Sequence, residues 1–162
     1  MSCARELIGC EFLWKGQRGK IVETEACAAV GDKACHTWFR PSARKFVAEH
    51  PTGAAYVYLS YVIHWLFNIL VKSGMVNGFV LIRALESQSH PRLGAGLGKL
   101  TKLLGIDDLD HGTMFLGKDE TGILRGDDKI AMVAGPRIGI SCAKDLPWRF
   151  AAADSNSLSR KF

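Results

Sequence analysis

Residues 56–71 read YVYLSYVIHWLFNILV, the longest apolar run in the chain. Ser60, His64 and Asn68 interrupt it. It is also shorter than the ~20 residues a membrane-crossing helix needs. It is rich in aromatic and β-branched residues, and these residue types suit a pleated surface. The run therefore predicts strands, and no segment is assigned to a membrane. Phe79 to Leu85 has the same character. Between the two, Ser73-Gly74 and Asn77-Gly78 carry turn chemistry.

Outward from this centre, Lys20 to Ala26 (KIVETEA) alternates and predicts a strand. Glu11 to Trp14 predicts another, with Lys15-Gly16-Gln17-Arg18-Gly19 as the turn between them. Ser2 is read as the cap of a short helix carrying Leu7 and Ile8. Residues 28 to 55 have no clean period and hold Gly31, Pro41, Pro51 and Gly53, so they read as mostly loop. Leu97 to Leu104 has helical spacing and stops at Gly105. Ile130 to Ala134 and Arg137 to Ser141 read as short strands around Gly135-Pro136. From Ala151 onward the residues are small and polar, and fraying is expected. With no repeat or linker, the chain reads as one α+β domain over residues 1–162.

The composition, 48% hydrophobic and 9% aromatic over 162 residues, supplies one core and argues against disorder. A net charge of +5 favours an acidic partner such as nucleic acid or an anionic surface, although mild basicity is common. Cysteines stand at 3, 10, 27, 35 and 142, an odd count without a Cys-x-x-Cys pair. That argues against a disulfide framework or a cysteine-rich zinc site, and for a reducing cytosol. The polar, charged start does not read as a signal peptide.

Several residues are candidates for chemistry. Glu23 and Glu25 lie two apart on a strand and share a face. Such a pair is either a solvated face or a site in which repulsion raises one pKa. His36 stands in Cys35-His36-Thr37-Trp38, and Cys27, Cys35 and His36 make only a loose set of metal ligands. Tyr56, Tyr58 and Tyr61 are either cross-strand packing or a platform on which bases stack. Asn68 and Arg83 fall inside apolar runs. A buried amide and a buried guanidinium both demand partners.

Taken in order, these pieces resemble the alkyladenine (3-methyladenine) DNA glycosylase family. The likeness begins at Ala4-Arg5-Glu6-Leu7-Ile8-Gly9 and is strongest in Ile21-Val22-Glu23-Thr24-Glu25-Ala26. It runs on through His36, Tyr56-Val57-Tyr58, Asn68-Ile69, Leu81-Ile82-Arg83-Ala84-Leu85-Glu86 and Gly135-Pro136-Arg137-Ile138-Gly139. The resemblance implies a single curved antiparallel sheet with flanking helices, like the C-terminal domain of formyltransferases. It also implies a monofunctional glycosylase that acts as a monomer on double-stranded DNA containing damaged purines. Such an enzyme would work in the cytoplasm at the bacterial nucleoid, with no metal or organic cofactor. By the same resemblance Glu25 is the base that activates water, and Arg83 and the Ile138 backbone carbonyl hold that water. Ala34, His36, Tyr58 and Asn68 line the base pocket, and Tyr61 is the wedge that fills the vacated stack.

Two positions depart from the family pattern. Cys27 stands where a tyrosine usually forms one wall of the base sandwich, and Trp38 is a candidate to fill that space. Val62 follows the wedge, where the family usually has glycine. A β-branched residue tolerates positive φ badly, so a differently shaped hairpin is expected. Lys33, Arg40, Arg44 and Lys45 are candidate phosphate contacts, or else a solvated loop. Cys27 also motivates an alternative reading, a damage-binding module without efficient turnover. An enzyme on another nucleotide or one-carbon substrate and a metal or redox protein are the remaining rivals.

Overall fold

The structure, a computed structural model, describes residues 1–74, 76–87, 92–116, 120–126 and 130–162. Its sheet is organised around β2 (Gln17–Ala28). β1 (Glu11–Trp14) enters β2 through Lys15 and Gly16, with Trp14 opposite Gln17. Both turn residues have positive φ, 46° and 80°. That is what a two-residue hairpin needs to match strand twist. The turn is thus tighter than the five residues its composition suggested, and Gln17, Arg18 and Gly19 join the ladder.

β5 (Val76–Glu86) runs along one side of β2. Beyond it lie β4 (His64–Ser73) and β3 (Ala55–Ser60). Along the other side β2 meets first β1 and then β8 (Arg149–Ala152). β6 (Thr121–Leu124) pairs with β1, and β7 (Met132–Gly135) pairs with β8. All these pairings are antiparallel, giving a curled sheet of eight strands among the described residues. The helices are α1 (Ser2–Glu6), α2 (His36–Phe39), α3 (Pro41–Glu49) and α4 (Leu97–Leu104), with a 3-10 turn at Asp108–Asp110. The fold is α+β, as the sequence predicted. Among the described residues no helix is long and apolar enough to cross a membrane.

The period of two along each strand divides the sheet into two faces. Val22 and Ala26 of β2, Ala55 and Val57 of β3, Phe67 and Ile69 of β4, and Val80, Ile82 and Ala84 of β5 share the main core. Thr24 belongs with them and donates to the Ala4 carbonyl of α1 at 2.7 Å. The alternate residues face the other way. Tyr56, Leu70 and Phe79 pack there against Ala43, Phe46 and Val47 of α3.

Several expectations need correction. Ser2 is the first residue of α1 and makes no side-chain cap. Residues 28–55 are not mostly loop, because α2 and α3 lie within them. Pro41 opens α3, where its missing N–H costs no helix bond. The apolar face of α3 holds only a few residues among many charges, which hid its period. Asn77-Gly78 is not a turn but part of β5. A Cβ on Gly78 would lie 2.2 Å from the Cys27 carbonyl oxygen, so this glycine serves close strand packing. The chain instead reverses between Ser73 and Val76. Arg137–Ser141 is not a strand, and Gly139 turns there at φ 78°. Residues beyond Ala151 do not simply fray: Ala151 and Ala152 belong to β8, and Ser157 is fully buried.

Candidate active site

The face of the sheet opposite the main core forms the floor of a cleft of about 780 Å³. Glu25 of β2 pairs with Leu81 of β5, Leu81 with Asn68 of β4, and Asn68 with Tyr56 of β3. This row crosses four strands and places a carboxylate at one end and aromatic and amide groups at the other. All eight residues assigned a role by the resemblance line this cleft, Glu25, Ala34, His36, Tyr58, Tyr61, Asn68, Arg83 and Ile138, and so does Cys27, which departs from the family pattern.

The ionic end depends on a break in the β2–β5 register. The pairing shifts between Ile21 and Glu23 and again between Glu23 and Thr24, leaving Val22 and Arg83 outside the paired positions. Bulges of this kind re-aim side chains. Here the Arg83 guanidinium reaches both carboxylates of β2. Its Nε lies 3.1 Å from Glu23 Oε1, and its Nη1 lies 3.3 Å from Glu25 Oε1. The Ile138 N–H donates to Glu25 Oε1 at 2.8 Å. Burial pushes the Glu25 carboxyl above its ordinary value, with Arg83 and the Ile138 amide pulling it down and Glu23 pushing it up. A carboxylate raised in this way is a stronger proton acceptor than a free one.

The aromatic end is a cluster of neutral rings. His36 and Tyr58 have ring centroids 4.2 Å apart, and His36 Nδ1 lies 3.1 Å from the Tyr56 hydroxyl. Burial, with help from Arg40, lowers the His36 pKa to about 4, so the ring is uncharged at neutral pH. Burial pushes Tyr58 up to about 12. Asn68 is buried and donates from Nδ2 to the Tyr56 carbonyl at 3.1 Å. Tyr61 stands at the rim, 87% exposed, at the tip of the β3–β4 hairpin.

Contrary to the expectation of a differently shaped hairpin, Val62 takes the positive φ that β-branched residues tolerate badly. Tyr61 and Val62 have φ of 50° and 59°. Such non-glycine positions cost on the order of 1–3 kcal/mol each. The strain sits at an exposed tip beside the cleft.

Cys27 and Cys35 overturn the expectation of free thiols at these positions. They form a disulfide, with Cα atoms 5.5 Å apart. The end of β2 and the segment before α2 approach too closely in space for sequence spacing to reveal. Cys27, read from the sequence as a departure from the family pattern, is thus tied to Cys35. Trp38 also lines the cleft and is half exposed. Of the four candidate phosphate contacts, Lys33 and Arg40 reach the cleft. Arg44 instead donates to the Thr37 carbonyl at 2.7 Å, and Lys45 lies 3.8 Å from Glu49.

Sequence reasoning did not identify Asp32 or Arg149, nor the partners of Glu23, behind this surface. Asp32 and Arg137 form a buried two-pronged ion pair, with N···O distances of 2.6 and 2.8 Å. Asp32 also accepts from the Ala28 and Ala34 amides, at 3.3 and 3.0 Å, while Arg137 donates to the Ala26 carbonyl at 3.1 Å. Burial acts to raise the Asp32 carboxyl, but Arg137 and the two amides hold it below its ordinary value. This pair fixes the loop carrying Ala34 and the residue next to Ile138. Glu23 is fully buried rather than part of a solvated face, and Arg149 Nε lies 2.8 Å from it. The cue was the one noted for Arg83, a lone charge within an apolar segment. Arg149 in Trp148-Arg149-Phe150 carries the same signal.

Comparison with known proteins identifies the family of the chain. A family model described as methylpurine-DNA glycosylase matches residues 1–156. A protein of Rhodopseudomonas palustris (strain ATCC BAA-98 / CGA009), named "Putative 3-methyladenine DNA glycosylase", is 42% identical over 98% of this chain and 82% of its own length. A protein of the same name from Nitrosospira multiformis is 38% identical over 98% of this chain and 88% of its own. With the match covering nearly the whole sequence, the chain belongs to the methylpurine-DNA glycosylase family.

Proposed function

We propose that this chain excises alkylated or deaminated purines from double-stranded DNA by hydrolysing the N-glycosidic bond. The observation that carries the proposal is Glu25, a buried carboxylate on the cleft floor between the Arg83 guanidinium and the Ile138 amide. C1′ of a damaged nucleotide is inaccessible inside a duplex, so the nucleotide must first rotate out. The exposed Tyr61 is placed to enter the vacated stack and offset the lost base contacts. The extruded base lies against His36 and Tyr58, with Asn68 set to test its purine edge. Both rings remain neutral at physiological pH, so an already cationic alkylpurine meets no opposing charge from them.

As the glycosidic bond breaks, its electron pair leaves with the base and positive charge builds on the sugar. The Glu25 carboxylate stabilises that charge and takes a proton from the water that attacks C1′. Arg83 holds the carboxylate and the water in place. The products are a free base and an abasic strand, with the backbone uncut. The proposal places the protein with DNA as a monomer, and Lys33 and Arg40 supply contacts at the cleft mouth.

The Cys27–Cys35 bridge favours one competing reading, a damage-binding module. A cystine is a poorer stacking surface than tyrosine, and one stacking partner is worth about 1–3 kcal/mol. A single-turnover panel on duplexes carrying 3-methyladenine, hypoxanthine or ethenoadenine separates the two readings. Free base with an uncut abasic strand is expected. Tight lesion binding without release supports the module. Borohydride trapping through Lys33, with strand scission, would replace the hydrolytic mechanism by an amine-based one.

A further inference from the structure

Behind the cleft, out of contact with it, lies Glu23, whose oxygens receive four donors. Arg83 Nε and Arg149 Nε donate to Oε1 at 3.1 and 2.8 Å. Ser159 supplies the other two, its N–H to Oε2 at 2.6 Å and its hydroxyl to Oε1 at 2.8 Å. The same hydroxyl oxygen lies 3.3 Å from Arg83 Nη2. A hydroxyl both donates and accepts, so it fits between the carboxylate and the guanidinium without conflict. Each nitrogen of Arg83 then has a defined partner: Nε has Glu23, Nη2 has Ser159, and Nη1 is left for Glu25 at 3.3 Å. A planar guanidinium held at two nitrogens has its third direction fixed.

The segment carrying Ser159 is itself anchored. Leu158 packs against the main core. Arg149 donates from Nη2 to the Arg160 carbonyl, and its guanidinium lies 3.9 Å from the Phe162 ring centroid. Phe162 in turn covers Gly135, where an added Cβ would meet the ring at 3.0 Å. Gly135 begins the Gly135-Pro136-Arg137-Ile138 segment that delivers the Ile138 amide to Glu25. The family match ends at residue 156, so it does not include these contacts.

We infer that residues 157–162 form a strap, with Ser159 as a positioning residue that sets the direction of Arg83 and so prepares Glu25 for the reaction. The inference rests on the proposed role of Glu25. Ser159 does not line the cleft, so the strap acts on the rate of the chemical step and not on DNA affinity. If the strap is lost, Glu23 keeps two cationic partners but loses both donors from Ser159, and Arg83 is free to turn from Glu25 toward Glu23. Arg83 holds the Glu25 pKa down, so this movement raises it further.

The test compares wild type with Ser159→Ala, Ser159→Thr and a chain ended after Asn156. Melting curves check folding. Single-turnover base release, affinity for the lesion duplex and titration of the Glu25 carboxyl carbon by NMR are then measured. Ser159→Ala is expected to slow release about tenfold and the shortened chain about a hundredfold, the range for charge-assisted hydrogen bonds. Affinity should stay within about twofold, since no cleft contact changes. The acid limb of the rate and the Glu25 titration should both move to higher pH, and threonine should restore the wild-type values. Wild-type rates with an unmoved Glu25 titration in both shortened and alanine forms would overturn the strap. So would parallel losses of affinity and rate, which indicate general loosening. Glu25→Gln runs alongside: full release by that variant defeats the hydrolytic reading, while the NMR titration still decides the strap.

Discussion

Replacing Arg83 with glutamine removes a cation that touches both Glu23 and Glu25. The distances allow the effect to be sized. At 3.3 Å from Glu25 and 3.1 Å from Glu23, each attraction is about 5 kcal/mol at an effective dielectric constant of about 20. Desolvation offsets part of this, and Glu23 keeps Arg149 at 2.8 Å. Breaking a buried pair by removing one partner costs about 3–5 kcal/mol. For a domain of this size that lowers the Tm by about 10 °C. Burial already raises the Glu25 pKa, and losing Arg83 raises it further. A carboxyl whose folded pKa is raised favours the folded state while protonated, and that contribution fades as pH rises through the folded pKa. The stability deficit of Arg83→Gln should therefore shrink toward acid pH, while its activity should recover toward alkaline pH. Thermal melts from pH 4 to 9 and single-turnover rates from pH 5.5 to 9 read both trends. A Tm within about 2 °C of wild type, or an acid limb that does not move, would refute this electrostatic account.

Three further outcomes follow from the same geometry. Reducing the Cys27–Cys35 bridge, which spans a sequence separation of 8, should cost about 2.5 kcal/mol and lower the Tm by several degrees. Melts with and without dithiothreitol test this, and an unchanged Tm in a protein shown by mass to be oxidised would contradict it. Asp32→Asn breaks a buried two-pronged pair and should cost about 3–5 kcal/mol. It should also slow base release, because Arg137 adjoins Ile138; denaturant titration and single-turnover rates measure the two effects. His36, with a folded pKa of about 4, should itself add no titration step to the rate between pH 6 and 8. Its folded pKa is depressed, so the stability linked to its neutral form is present above the ordinary value near 6.5 and lost as pH falls toward 4. His36→Gln should flatten that part of the stability profile.

The strands at the centre of the sheet were legible because alternation and β-branched composition coincide there. The helix Leu97–Leu104 was legible through its apolar spacing and its closing glycine, which takes φ 62°. The helix over residues 41–49 was not, since three buried residues among charges give too short a period. The candidate site was legible through the ordered motifs, which the structure gathers into one cleft. The residues behind it were hidden for a different reason. Asp32 meets Arg137 across 105 positions and Glu23 meets Ser159 across 136, and no local pattern encodes such distant pairs. The disulfide escaped notice because cysteine spacing reports on motifs, whereas this bridge is set by how β2 lies against α2.

The most direct test is the rate at which Glu25→Gln releases a damaged base from duplex DNA under single-turnover conditions. Glutamine keeps the shape of the side chain but cannot accept the proton of the attacking water. Release should fall by about a thousandfold, within the range for loss of a general base. Lesion binding should persist, and the Tm should hold or rise because the raised Glu25 pKa marks a buried charge the fold does not favour. Base release by Glu25→Gln at the wild-type rate would contradict the account.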